Sequence, residues 1–253
     1  MKSLKSAVKA FAATTFISLS AVPAHSAVIE LALVLDGSGS IGQSDFDLQT
    51  QAYQNIFSSG TFYDDFVVGA DQLYVSSWQF SATTQKEQDW FLINDNASAA
   101  AFGATFADID YMQGWTNTAD AISMVAGDIL SNNIDGDELV MDISTDGVPC
   151  VSGSCPQNYA ISVGEATSAA SNGIVVNAIG VGSGIDVNYL DAITQPSNGF
   201  YTTATDFSAF ETALAGKLFR EINDPPTSVS EPATLSLFGL GLAGLVVTRR
   251  RKA

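Results

Sequence analysis

Histidine is almost absent from this chain. Its 253 residues hold one, His25, within an N-terminal stretch that reads as a removable signal: Lys2, Lys5 and Lys9, an apolar run over 10–22, then the small-residue site Ala24-His25-Ser26 before Ala27. An N-terminal anchor is the alternative. Residues 27–226 therefore have no imidazole, which excludes Ser-His-Asp and Cys-His catalysis and any zinc site needing a histidine ligand. Basic residues are nearly as scarce. Of ten Lys and Arg, three precede the apolar run and four close the chain, leaving Lys86, Lys217 and Arg220. Set against 26 of the 27 acids, those three leave residues 27–226 with a formal charge of −23. Such a segment repels phosphate backbones and anionic lipid, so nucleic acid is no partner for it, while divalent cations are drawn to it. Much of this acid simply keeps the surface solvated. Cysteine is limited to Cys150 and Cys155. In an exported chain a small-loop disulfide is the first expectation, with two free thiols as the alternative; a bare pair makes no metal site.

The C-terminus has its own layout. Pro225-Pro226 and a polar stretch lead to Ser230-Glu231-Pro232-Ala233-Thr234, an apolar glycine-rich run over 235–247, and Arg249-Arg250-Arg251-Lys252. The run is short against the roughly 20 residues of a relaxed membrane span, and the basic cluster would stay cytoplasmic. This tail resembles the PEP-CTERM sorting signal of Gram-negative bacteria, with Ser230 where the family has its first proline. The resemblance implies a sorting motif at Glu231, Pro232, Arg249, Arg250 and Arg251, transient inner-membrane anchoring by the apolar helix, and processing by an exosortase. It also implies delivery to the cell surface or extracellular matrix. An ordinary tail anchor is the competing reading. The expected organisation is a signal peptide over 1–26, one domain over 27–222, a linker over 223–230 and the tail over 231–253.

Between those ends, strand-like and helix-like stretches alternate. Residues 28–35 form a continuous apolar run broken only by Glu30, as a strand buried on both faces would. Strands are also expected over 73–80, 89–93, 138–144 and 174–181, the last ended by Gly180 and Gly182. Helical spacing is seen over 44–57, with Ser44 as cap, and over 97–107, 117–130, 157–170 and 206–222. Alternation of this kind predicts an α/β domain, doubly wound, with a mostly parallel central sheet flanked by helices.

In such a sheet, ligands bind beyond the carboxyl ends of the strands. Three strand ends here carry oxygen ligands. Asp36-Gly37-Ser38-Gly39-Ser40 alternates oxygens with glycines, so a tight loop can turn Asp36, Ser38 and Ser40 toward one point. Gly114-Trp115-Thr116 precedes a helix, and Thr145-Asp146-Gly147 ends an apolar strand. Each alone reads as turn or cap chemistry. Together, in this order, they resemble the metal-ion-dependent adhesion site (MIDAS) of von Willebrand factor A (VWA) domains, over about 28–222. The stretch from Gly199 to Ile222 resembles a bacterial subgroup of unknown function within that superfamily. The resemblance implies a VWA/Rossmann-like fold and a divalent metal, Mg2+ or else Mn2+ or Ca2+, on Asp36, Ser38, Ser40, Thr116 and Asp146. Mg2+ takes about six oxygen ligands, so this set leaves a position for an acidic oxygen of a protein or polysaccharide ligand.

Weaker signals are Asp135-Gly136-Asp137-Glu138, a turn rather than a calcium loop because the twelve-residue spacing is missing, and Trp115, placed to line a ligand groove. Trp78 and Trp90 read as packing. Lacking histidine, activated nucleophile and cofactor loop, the chain is expected not to be an enzyme. A surface or matrix-associated binding module is the main expectation. A structural matrix (biofilm) protein, in which metal only stabilises the fold, is the alternative.

Overall fold

A computed structural model describes residues 27–68 and 70–224. The signal peptide, the sorting tail and most of the linker lie outside the described residues. Six strands form one sheet: β1 (Ala27–Asp36), β2 (Ala70–Phe80), β3 (Thr84–Ile93), β4 (Glu138–Thr145), β5 (Ile174–Val181) and β6 (Tyr201–Ala204). They are ordered β3-β2-β1-β4-β5-β6. Every pairing is parallel except β2 with β3, a hairpin that ends one edge. The central strands β1, β4 and β5 are buried on both faces because helices cover both. The expected doubly wound, mostly parallel α/β domain is therefore present.

Helices α1 (Gln43–Phe57), α2 (Phe62–Phe66), α3 (Asn96–Ala104) and α7 (Phe207–Asn223) bear on one core, built from Leu31, Leu33, Leu35, Tyr53, Phe57, Phe102, Phe210 and Leu214 among others. The opposite core lies under α4 (Thr118–Ile129), α5 (Cys155–Ser171) and α6 (Val187–Thr194). Val34, Trp78, Ile122, Met141, Ile143, Val176 and Leu190 contribute to it. Strand alternation assigns these sets: odd-numbered β1 residues enter the first core and even-numbered ones the second.

Several local expectations need correction. Ser44 does not cap α1, because the helix begins one residue before it, after Gly42 in the left-handed region at φ 74°. Thr116 caps nothing either; Asn117 caps α4, its side chain accepting from the Asp120 amide. Gly180 does not end β5 but lies within it. A Cβ there would strike the side chains of Ile185 and Leu190, so glycine lets α6 press onto the strand. Helix α6, the five-residue α2 and the four-residue β6 have no counterpart in the sequence reading; all are short. Strand β3 starts at Thr84, five residues earlier than expected, because that half carries Gln, Lys and Glu in an exposed hairpin. Residues 135–137 are a loop that leads into β4 at Glu138: Gly136 N donates to Glu30 Oε1 at 3.1 Å, and Val28 N to Asp137 Oδ2 at 2.9 Å.

Candidate metal centre

Strand order reverses at β1, whose neighbours are β2 and β4. Helices leave the sheet there toward opposite faces, opening a crevice beyond the strand ends. Asp36 ends β1, and Asp146 follows the last residue of β4. The chain then turns tightly through Gly37, whose amide donates to Phe80 O at 2.7 Å. Any Cβ at Gly37 would collide with the Gln79 side chain, which explains a glycine between Asp36 and Ser38.

A run of hydrogen bonds joins four of the five expected ligands. Thr145 Oγ1 donates to Asp36 Oδ2 at 2.6 Å, and Ser38 N donates to Asp36 Oδ1 at 2.8 Å. The Ser38 and Ser40 hydroxyls lie 3.1 Å apart, and Ser40 Oγ donates to Asp146 Oδ1 at 2.8 Å. Asp36 and Ser38 are fully buried, whereas Gly39 and Ser40 are exposed. The group thus has a buried floor and an open rim. Thr116 joins through its backbone. Its amide and carbonyl pair with Cys150 O and N at 3.2 and 2.9 Å, and Gly114 O, two residues before it, accepts from Gly39 N at 2.9 Å. Cys150 and Cys155 are joined by a disulfide, so the loop that flanks Thr116 is covalently closed.

Both carboxyls of this group are shifted upward. Burial, with the Asp146 charge adding to it, pushes the Asp36 carboxyl up to about 7, against the hydrogen bonds from Ser38 and Thr145. Burial likewise raises Asp146, against the Ser40 hydroxyl. A second carboxylate near a buried one makes its ionisation harder. All available donors are hard oxygens, two of them carboxylates, which suits Mg2+, Mn2+ or Ca2+. Among the described residues no three His, Cys, Asp or Glu side chains gather as a metal site. A cation here would therefore rely on hydroxyl and water oxygens to complete its shell.

Four supporting residues escaped the sequence reading. Thr145 orients Asp36, and its place inside Thr-Asp-Gly was the available signal. Gln49 Nε2 donates to Asp36 O at 3.0 Å while its Oε1 accepts from Ser144 Oγ at 2.7 Å. Gln79 holds the approaching loop at Asp110 O and Met112 N, both at 2.8 Å. Tyr111 OH donates to Ser38 O at 2.7 Å and accepts from Gly42 N at 3.0 Å. Uncharged polar residues inside apolar strands and helix faces are the pattern that would have found the two glutamines.

The sheet order and the flanking helices give this domain a VWA-type fold. Within that class the chain belongs to the family described as "Protein of unknown function (DUF1194)", which matches residues 26–226. A PEP-CTERM protein-sorting motif matches residues 228–252, marking an exported protein of the Gram-negative cell surface or exterior. Cochlin from Bos taurus is 28% identical over 177 residues, covering 69% of this chain and 29% of cochlin. The chain thus spans under a third of that relative's length. Solved structures share the fold, two of them as follows. Proximal thread matrix protein 1 from the mussel byssus, with a zinc-occupied MIDAS motif, gives a TM-score of 0.56 at 17% identity, covering 77% of this chain and 48% of that one. A von Willebrand factor type A protein from Catenulispora acidiphila gives 0.55 at 13% identity, covering 78% and 43%. No helix among the described residues is long and apolar enough to cross a membrane; the apolar run over 235–247 lies outside them.

Proposed function

We propose that the domain holds one divalent cation on Asp36, Ser38, Ser40, Thr116 and Asp146, and binds through it an acidic group of a protein or polysaccharide outside the cell. The observation that carries this reading is the run Thr145–Asp36–Ser38–Ser40–Asp146 at the strand-order reversal, with both carboxyls held above their usual range. A cation there supplies a local positive centre in a domain of strongly negative charge, and so draws an anionic ligand that the remaining surface repels. Asp36 and Ser38 form the fixed floor, while the exposed Ser40 faces solvent, where a ligand oxygen can enter. The role in this reading is binding rather than catalysis, since residues 27–226 contain no histidine and the Ser40 hydroxyl and its partner Asp146 are both engaged on the cation. The sorting tail supports exosortase processing and release to the surface or matrix.

Titration calorimetry of the full-length chain with Mg2+, Mn2+ and Ca2+ tests this. One saturable site is expected, lost in Asp146→Ala, which changes a partly exposed carboxylate and leaves the floor intact. Equal heats from both proteins would remove the metal assignment. A cation that raises the melting temperature yet leaves capture of acidic ligands unchanged would favour a purely structural role in the matrix.

A further inference from the structure

The two flanks of the candidate centre differ in charge. On one side lies a groove of about 320 Å3 lined by Asp45, Leu48, Asp146, Val181, Asp206 and Phe207, where Asp45 and Asp206 repel an anionic chain. On the other side, residues 111–119 and 147–164 contain no charged residue, although residues 27–226 hold 26 acids. Backbone pairing between Thr116 and Cys150 joins these two segments into one shelf beside the centre, and Asp186 lines a cavity with Val148, Cys155 and Tyr159 of the second segment. Trp115 stands on that shelf at 49% exposure, whereas Trp78 is 3% exposed and Trp90 is half-buried, its Nε1 donating to Asp128 Oδ2.

The backbone that carries Trp115 is fixed on both sides. Gln113 O accepts from Ser81 Oγ at 2.7 Å and Gly114 O from Gly39 N at 2.9 Å. Beyond it, Thr116 pairs with Cys150, and Asn117 N donates to Ser81 O at 2.9 Å. A large aromatic face kept in water at an anchored backbone position gains its area only when a ligand covers it.

Resting on the metal reading above, we propose that this shelf selects an acidic polysaccharide: a uronic acid ring lies on the Trp115 face while its carboxylate reaches the cation. A uronic acid carries an apolar face of ring C–H groups and a carboxylate on the same rigid unit, which matches a flat indole beside a cation. Neighbouring anionic sugars then run along the Trp115 side of the shelf, away from Asp45 and Asp206 and from the Asp186 cavity. An acidic peptide presents its carboxylate on a flexible stem and has no ring face for the indole.

The test is tryptophan emission of the full-length chain titrated with a galacturonic acid trimer, a neutral glucose trimer and an Asp-rich peptide. Each titration is run with Mg2+ and again with chelator. The expected result is an emission shift with the uronate trimer alone, abolished by chelator. Trp115→Ala, followed by calorimetry, lowers uronate affinity about tenfold and leaves Mg2+ binding unchanged, while Trp115→Phe keeps most of the affinity. Uronate binding that is unaltered in Trp115→Ala overturns the proposal, as does an Asp-rich peptide that binds more tightly and ignores the substitution. Intact Mg2+ binding with no uronate binding sinks this inference alone. Absent Mg2+ binding sinks the metal reading beneath it.

Discussion

The two faces of the sheet bury very different chemistry. On the face under α4, α5 and α6, the central rows are Ala32 and Val34 of β1, Met141 and Ile143 of β4, and Val176 and Ala178 of β5. Within β1, charge reaches that side at the strand ends, at Glu30 and Asp36, and at the sheet edge Lys86 pairs with Asp128 beside Trp78. On the face under α1 and α7 the same strands present Asp142, Ser144 and Asn177, and α7 answers with Lys217 and Glu221, all fully or almost fully buried. Lys217 Nζ pairs with both Asp142 and Glu221, and Nζ lies 5.7 Å from the centre of the Phe200 ring. Phe200 N in turn donates to Asn177 Oδ1 at 2.9 Å. Apolar burial would cover the sheet equally well on both sides. The polar face instead fixes which residues of α7 meet which strands, since each buried charge must find its partner. It also sits next to the candidate centre, because Gln49 bonds both to Ser144 and to the Asp36 carbonyl.

The largest expected effect breaks the polar face. Lys217→Met removes the cation from two buried carboxylates, an error that costs about 3–5 kcal/mol in comparable sites. Urea denaturation should show a fall of that order, or the variant should be recovered insoluble. Adding Asp142→Leu and Glu221→Leu to Lys217→Met should recover much of the loss, because replacing the whole cluster leaves no orphaned charge. A triple variant no more stable than the single one would mean that the cluster's shape, not its charge balance, holds α7.

A second prediction uses pH. Burial, with the Asp142 charge adding to it, pushes Glu221 up to about 8, against the opposing pull of Lys217. A carboxyl raised above its ordinary 4.5 stabilises the fold as its neutral form. That contribution is complete below pH 4.5, erodes as pH climbs, and is gone once pH passes about 8. Asp36, Glu30 and Glu87 shift in the same direction. Asp95 and Asp206 shift downward but are fully exposed, where solvent screening leaves little effect. The metal-free melting temperature should therefore fall from pH 5 to pH 8.5, and Glu221→Gln should flatten part of that slope. An identical slope in wild type and variant would remove Glu221 from the account.

Much of this was legible in the sequence, and the gaps have physical causes. Long apolar runs announced β1, β4 and β5, because strands buried on both faces need no alternation to be seen. The strand-end oxygens of Asp36, Ser38 and Ser40 were legible because they alternate with glycines within five residues, and Asp146 because an Asp-Gly pair follows an apolar run. The cluster at Lys217 was not. Lys217 and Glu221 look like a surface pair at helical spacing, and nothing local says that Asp142, 75 residues earlier, lies beneath them. Gln49 hid in the same way, as one polar residue on a helix whose other buried positions are mostly apolar. Short elements such as α6 and β6 were missed because their burial depends on neighbours brought in by the sheet.

The smallest expected effect sharpens the contrast from the apolar side. Ile143 is fully buried between Val34 and Ala178 in the register of β1, β4 and β5. Ile143→Val deletes one methylene and should cost about 0.5–1.5 kcal/mol, the usual range for that change in a packed interior. No charge is stranded, so the loss should not depend on pH, and Mg2+ binding should be unchanged. Ser144→Ala, next along β4 and facing the polar side, offers the matched comparison. It removes a hydroxyl of similar size and leaves Gln49 Oε1 without its donor. Calorimetry should then show weaker Mg2+ binding for Ser144→Ala, because Gln49 also holds the Asp36 carbonyl. Equal metal affinity in the two variants would mean that the centre rests on its own loop and borrows nothing from the buried network behind it.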